Sequence, residues 1–371
     1  MKNEYKIPLS KPDITEKEKK AVLEVLKTPY LSLGPKLREF EDKIARYIGV
    51  KYAIGVNSGT SGLHLIIRAL GIKDNDEVIT TPFSFISSAN CILYERAKPV
   101  FVDIDEKTLN IDVNKIEEKI TNKTKAILAV DVFSHPADWE RLEKIAKKHN
   151  LFLIEDSAEA LGSEYKGKKC GSFGDAAILS FYPNKQITTC EGGMILTNNK
   201  EIADFCYSAR NQGRRAEGAE WLEHIRLGYN YRMPEVCAAM GIVQMKRIKE
   251  ILKKRAKVAF LYSKKLKDFK AIELPRPRKG WFAYVVKLVK KFSQKERNKI
   301  IEEMEKKGIQ CSNYFQPIHL QPFYQKMLGY KVGTFPVCES VSQRTIALPF
   351  YNNLTEKEID FVVKNLKKCL F

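Results

Sequence analysis

One lysine in this chain stands apart by its company. Lys185 sits between Asn184 and Gln186 in the run from Ser180 to Gly193, with Thr188 and Thr189 close behind and no charged residue adjacent. An amine near apolar strand ends is poorly solvated as an ammonium, so it gives up its proton readily and can attack a carbonyl carbon to form a Schiff base. In so lysine-rich a chain the competing reading is a solvated surface charge. Upstream, Ile154-Glu-Asp156-Ser-Ala-Glu159-Ala-Leu-Gly162 follows an apolar run that begins at Leu151. A strand there delivers Glu155 and Asp156 to its carboxyl end, where open α/β sheets place their ligands. Asp156 can then hold a protonated ring nitrogen and keep that ring an electron sink, or it can simply cap the next turn. A third segment, Asn57-Ser-Gly-Thr60-Ser61-Gly62, links a strand to a helix. Its backbone N–H groups, hydroxyls and positive helix end converge where a phosphate can bind, although an ordinary N-cap uses the same residues. It contains neither Gly-Lys-Ser/Thr nor G-x-G-x-x-G.

Short β-branched runs alternating with helical patterns from about residue 50 to 200 predict an α/β domain with a mostly parallel sheet, which would carry these segments. The strand candidates are 52–56, 77–81, 99–104, 125–132, 151–155, 175–180 and 193–197, with helices at 61–70, 84–94 and 136–149. Thr15-Glu-Lys-Glu18 is a capping box that opens a helix ending before Pro29, and Pro35 to Tyr47 reads as a second helix closed by Gly49. From Pro234 one or two long helices reach about Phe269, and Pro275-Arg-Pro277 breaks the chain. Beyond it, a strand at 282–289, a helix near 294–307, a strand near 309–314 and a helix capped by Thr355 and Glu358 form a smaller α+β domain. We place the division at residues 1–250 and 251–371.

The 64 Lys and Arg against 45 Asp and Glu give a net charge of +19, which favours anionic partners. The lysines are nevertheless spread over amphipathic helices beside glutamates, as a solvated, ion-paired surface requires. No run approaches the ~18 apolar residues of a membrane span. The opening residues lack an apolar stretch, and the eight cysteines form no C-x-x-C pair and no metal-ligand spacing. The expectation is a cytoplasmic protein without metal, membrane or nucleic-acid partner.

The three segments together resemble the DegT/DnrJ/StrS family of fold-type-I, pyridoxal-phosphate-dependent sugar aminotransferases. The likeness extends in order through Leu9-Ser-Lys-Pro-Asp13, Gly34-Pro-Lys-Leu-Arg-Glu-Phe-Glu41, Thr81-Pro-Phe-Ser-Phe85, Pro99-Val-Phe-Val-Asp-Ile-Asp105, Gly228-Tyr-Asn-Tyr-Arg-Met233 and Pro317-Ile-His-Leu-Gln-Pro-Phe-Tyr324. It implies that Lys185 carries the pyridoxal 5'-phosphate as a Schiff base, that Asp156 pairs with its ring nitrogen and that Phe85 stacks on the ring. Glu159, where the family often has Gln or His, falls on the ring-hydroxyl side. Thr60, Ser61 and Ser180 would hold the phosphate together with Asn230 of a second subunit, which makes the protein a homodimer. Cys190 stands where members frequently show Gly. His319 falls near the nucleotide-sugar region, as a substrate contact or a structural hydrogen bond, whereas His64 among leucines reads as a core histidine.

The same resemblance implies ping-pong transfer of nitrogen from L-glutamate to a keto-sugar carried on a nucleotide diphosphate. Arg210, Arg214, Arg215 and Arg232 are candidates for its charges. Two rivals remain: a sugar dehydratase on the same scaffold, whose members replace this lysine by histidine, and a nucleic-acid-binding regulator, for which no DNA-binding helix pair or zinc motif is present.

Overall fold

Residues 5–215 and 223–370 are described by the computed structural model of the chain. The large sheet is built from β1 (Tyr52–Val56), β2 (Glu77–Thr80), β3 (Lys98–Phe101), β4 (Thr124–Val130) and β5 (Phe152–Asp156). After a short hairpin of β6 (Glu164–Tyr165) and β7 (Lys168–Lys169) come its last strands, β8 (Ala176–Ser180) and β9 (Gly193–Thr197). Their spatial order is β1-β9-β8-β5-β4-β2-β3. Only β9 is reversed: it pairs antiparallel with β1 and β8, while β8, β5, β4, β2 and β3 pair in parallel. Helices on both faces explain why β2 is buried throughout and β4 nearly so, the near-continuous apolar strands of a covered parallel sheet. The architecture is the fold-type-I arrangement, a mostly parallel sheet domain flanked by helices beside a smaller α+β unit.

That topology positions the motifs. β1, β5 and β8 run in one direction, so the loop after Val56, the end of β5 and the turn after Ser180 all emerge at the same edge. The reversed β9 then returns the Lys185 loop from that edge.

The capping box predicted at Thr15 and Glu18 opens the helix Glu16–Leu26. Buried Arg247, at the junction of helices Glu235–Lys246 and Ile248–Leu266, reaches Glu18 at 2.7 Å and Asp13 at 3.2 Å. Gln244 donates to the same Glu18 oxygen at 2.7 Å. These contacts lock the N-terminal helix onto the long helices that lead to the second unit.

The second unit has a three-stranded antiparallel sheet of β10 (Ile272–Glu273), β11 (Tyr284–Leu288) and β12 (Thr345–Leu348). Helices Gln294–Lys306 and Glu356–Cys369, both opened by capping boxes, cover it. Its core includes Tyr262, Tyr284, Met304, Ile346 and Leu366, and Ile7 joins them from the other end of the chain. The strand expected at 309–314 does not form. Ile309 and Cys311 are buried, as the pattern required, but Ile309 pairs in isolation with Ile7 and Ser312 with Ala347, so the backbone changes partners too soon for a ladder. The third strand is β12.

Candidate active site

A cavity of about 360 Å³ opens at the shared edge of β1, β5 and β8, within the usual size range of small-molecule sites. Side chains alternate along a strand, so Glu155 and Asp156 leave β5 on opposite faces. Glu155 turns away from the cavity and accepts hydrogen bonds from the backbone N–H groups of Gly171 (2.6 Å) and Phe173 (2.8 Å). Ser157 Oγ lies between Glu155 (2.5 Å) and Asp131 (2.8 Å). Burial pushes both carboxyls up, and the neighbouring Asp131 charge drives Glu155 well above the carboxylate range.

Asp156 faces the cavity. One oxygen accepts from Ser88 Oγ at 2.7 Å and the other from the backbone N–H of Ala158 at 3.1 Å, so this residue both caps the turn and lines the site. Burial raises its pKa, opposed by those two donors and by the charge of Lys185.

Lys185 extends from a turn closed by its own N–H to the Tyr182 carbonyl (2.9 Å). Its Nζ is 3.5 Å from Glu159 Oε1 and 4.2 Å from the centroid of the Phe282 ring. The other Glu159 oxygen accepts from the backbone N–H of Phe133 at 2.9 Å. Burial raises the Glu159 pKa, and the Lys185 charge is the chief opposing effect. Lys185 is therefore seated between a carboxylate and an aromatic face.

Phe282 is held over the lysine by a short strap. Side chains seize the carbonyls of four consecutive residues: Ser163 takes Lys279 (2.9 Å), Gln186 takes Gly280 (2.7 Å), and Arg255 takes Trp281 and Phe282 (2.6 Å each). Arg255 is buried with no carboxylate partner among the described residues. Burial lowers its pKa to about 9.

The loop after β1 is capped as an N-terminus, with Ser58 Oγ accepting from the Ser61 N–H at 3.1 Å. It seats against β9 only because Gly193 has no Cβ, which would lie 2.6 Å from the Ser58 carbonyl. Ser58, Gly59, Thr60 and Ser180 line this end of the cavity, a hydroxyl-rich helix terminus suited to an anion. Phe85 also lines it, 61% exposed, with a face free to be stacked upon.

The structure therefore brings Thr60, Phe85, Asp156, Glu159, Ser180 and Lys185 around one cavity and leaves three other candidates off its wall. Ser61 turns inward to Asn57 and Ser58 (2.6 and 2.7 Å). Asn230 is exposed, its carbonyl 3.4 Å from the Asn57 amide. His319 is fully buried, bonded to Glu339 at 3.0 Å and edge-on to Phe335. His64 is likewise buried, as expected, against Glu95 and Tyr231.

Arg210 is not available to a substrate: its guanidinium is buried on Glu41 (2.5 Å) and the Gly55 carbonyl (2.7 Å). Arg215 pairs with Glu223, and Arg232 donates to Asn211. Cys190 adopts φ of 69°, the left-handed conformation in which glycine is the unstrained choice.

The sequence did not single out Ser88, Asn184, Phe282 or Tyr314, all of which line the cavity. Asn184 was noted only as the polar neighbour of Lys185. Phe282 and Tyr314 carry no local signal, since they reach the site only through tertiary packing.

The donors fit a phosphorylated pyridine aldehyde: an amine for the aldehyde, a buried carboxylate for the ring nitrogen, an aromatic face and a helix terminus for the phosphate. Comparison with known proteins agrees. The model of the DegT/DnrJ/EryC1/StrS aminotransferase family matches residues 12–367. GDP-perosamine synthase from Escherichia coli O157:H7 is 38% identical over 364 residues, covering 98% of each chain. Among solved structures, Helicobacter pylori PseC, an aminotransferase of pseudoaminic acid biosynthesis, superposes with a TM-score of 0.92 at 32% identity, covering 98% of this chain and 99% of that one. The PLP form of the sugar aminotransferase Spr1654 from Streptococcus pneumoniae gives 0.92 at 29% identity, with 99% of each chain covered.

Proposed function

The chain belongs to the DegT/DnrJ/EryC1/StrS aminotransferase family, whose cofactor is pyridoxal 5'-phosphate, and from that premise we propose that it aminates a keto-sugar carried on a nucleotide diphosphate. The amino donor is L-glutamate, and the two half-reactions share one site in ping-pong order. The observation that carries this reading is the enclosed amine of Lys185, seated on Glu159 and Phe282 above a buried Asp156.

When bound, the cofactor supplies an aldehyde and a ring that withdraws electrons from the carbon next to the transferred nitrogen. The protein does the rest. Asp156, fixed by Ser88 and Ala158, presents a carboxylate to the ring nitrogen. Lys185 Nζ is first the covalent anchor and then, once displaced, the base that carries a proton from one carbon to another. Phe282, Tyr314 and Phe315 keep water off that proton's path. Thr60 and Ser180 hold the phosphate, and Phe85 covers the ring face. Asn230 completes the phosphate site from a second copy of the chain, which its exposed position permits. The likeness to GDP-perosamine synthase over 98% of this chain supports a nucleotide-linked sugar as the substrate.

An absorbance spectrum of the purified protein, before and after L-glutamate, tests the reading. We expect a visible band that bleaches with glutamate in the wild type and is absent from Lys185→Ala. A protein that stays colourless with added pyridoxal 5'-phosphate would sink it.

A further inference from the structure

Buried polar atoms in folded proteins almost always find a hydrogen-bond partner, so one left over on the wall of a cavity points to what the cavity receives. Asn184 Oδ1 is such an atom: it is buried and has no partner. The Tyr314 hydroxyl lies beside the same amide, which lowers the phenol's pKa against the larger effect of burial and the charge of Glu159, which raise it. Exchanging the amide's oxygen and nitrogen would not remove the problem. One hydroxyl satisfies one end of an amide, and the opposite end stays unspent in either orientation.

The surroundings say what kind of group is missing. Asn184 borders the Lys185 cavity on one side. On the other it borders a recess of about 10 Å³ formed with Ser10, Phe282, Tyr314 and Phe350. That volume is close to the minimum for a single water-sized group. A sugar hydroxyl has that size and can either give or accept a hydrogen bond, so it suits whichever end of the amide faces it.

We propose that Asn184 determines sugar specificity, its unspent amide end reading a hydroxyl of the nucleotide-linked sugar beside Lys185. This rests on the substrate class proposed above and adds the residue that reads the sugar rather than the nucleotide.

The test separates the two parts of the ligand. Enzyme whose cofactor has been fixed to Lys185 by borohydride cannot turn over, so calorimetry on it reads binding alone. GDP-perosamine and GDP are the probes, with Asn184→Leu as an apolar replacement of similar size and Asn184→Asp as one that keeps acceptor oxygens. We expect the wild type to bind GDP-perosamine more tightly than GDP. Asn184→Leu should weaken GDP-perosamine binding about tenfold or more, the consequence of an unpaired polar group, and leave GDP within about twofold. Asn184→Asp should recover part of the loss.

Equal weakening of both probes would show a merely structural role and overturn the inference. Unchanged binding of both would mean that Asn184 serves an ordered water, and would overturn it equally. A wild type that binds GDP-perosamine no better than GDP would overturn the sugar-binding reading of the site itself. That outcome is seen before any Asn184 variant is made.

Discussion

The two carboxyls that approach Lys185 are held differently, and the difference assigns them separate work. Asp156 is gripped by Ser88 and a backbone N–H on the floor of the cavity, whereas Glu159 is gripped by the Phe133 N–H and leans on the lysine itself. Replacing Asp156 with Asn removes the charge opposite the ring nitrogen while keeping the shape. We expect Asp156→Asn to retain the cofactor yet slow the glutamate-driven bleaching at least about a hundredfold, roughly 2.7 kcal/mol of barrier. Ser88→Ala, which frees the carboxylate without removing it, should slow it by about five- to tenfold. Stopped-flow absorbance measures both, and equal effects would refute the distinction between charge and placement. Strand ends and uncharged loops marked Asp156 and Lys185 as candidates, the family resemblance gave them roles, and the structure brings both to one cavity. Ser88 and Phe282 were not legible, since a serine on a helix and an aromatic beside a strand look the same wherever they point.

The helical elements give a prediction with a sign. Arg247 ties Glu18 and Asp13 to the long helices, and although burial opposes it, the hydrogen bonds and the guanidinium hold both acid pKa values below their ordinary range. Depressed folded-state values mean that this contribution is fully present above the unfolded pKa of about 4 and is lost as pH falls through the lower folded values. In Arg247→Leu Asp13 keeps Lys254 at 3.3 Å, whereas Glu18 stays buried without a charged partner among the described residues, at a cost of about 3–5 kcal/mol at neutral pH. The folded pKa of Glu18 would then lie above the unfolded one, so acidification should stabilise the variant. Thermal melts at about pH 7 and pH 5 should show the variant gaining on the wild type at the lower pH; a constant gap would rule out the mechanism. The helix was readable from its capping box, but its clamp was not, because Arg247 is a long way along the chain from Glu18. The misread strand at 309–314 has the same origin: burial follows from the residues, whereas the choice of hydrogen-bond partner belongs to the fold.

For the whole molecule, the exposed Asn230 is expected to meet a second copy of the chain. Light scattering should give twice the 42.6 kDa of one chain. Asn230→Ala should raise the dissociation constant of the cofactor about tenfold by removing a phosphate contact. A monomer with full cofactor affinity would refute the shared site. The large α/β unit was legible from its alternating strands and helices, and the reversed β9 was not, because a buried strand's residues do not encode its direction.

Ile7 belongs to the core built from Tyr262, Tyr284, Ile346 and Leu366 and pairs with Ile309, so the smaller unit is assembled from opposite ends of the chain. During translation Ile7 leaves the ribosome long before those partners exist. The smaller core therefore cannot close on a nascent chain. The large sheet, whose strands are all complete by Thr197, can form first and hold the early segment near the place where the last helix will arrive.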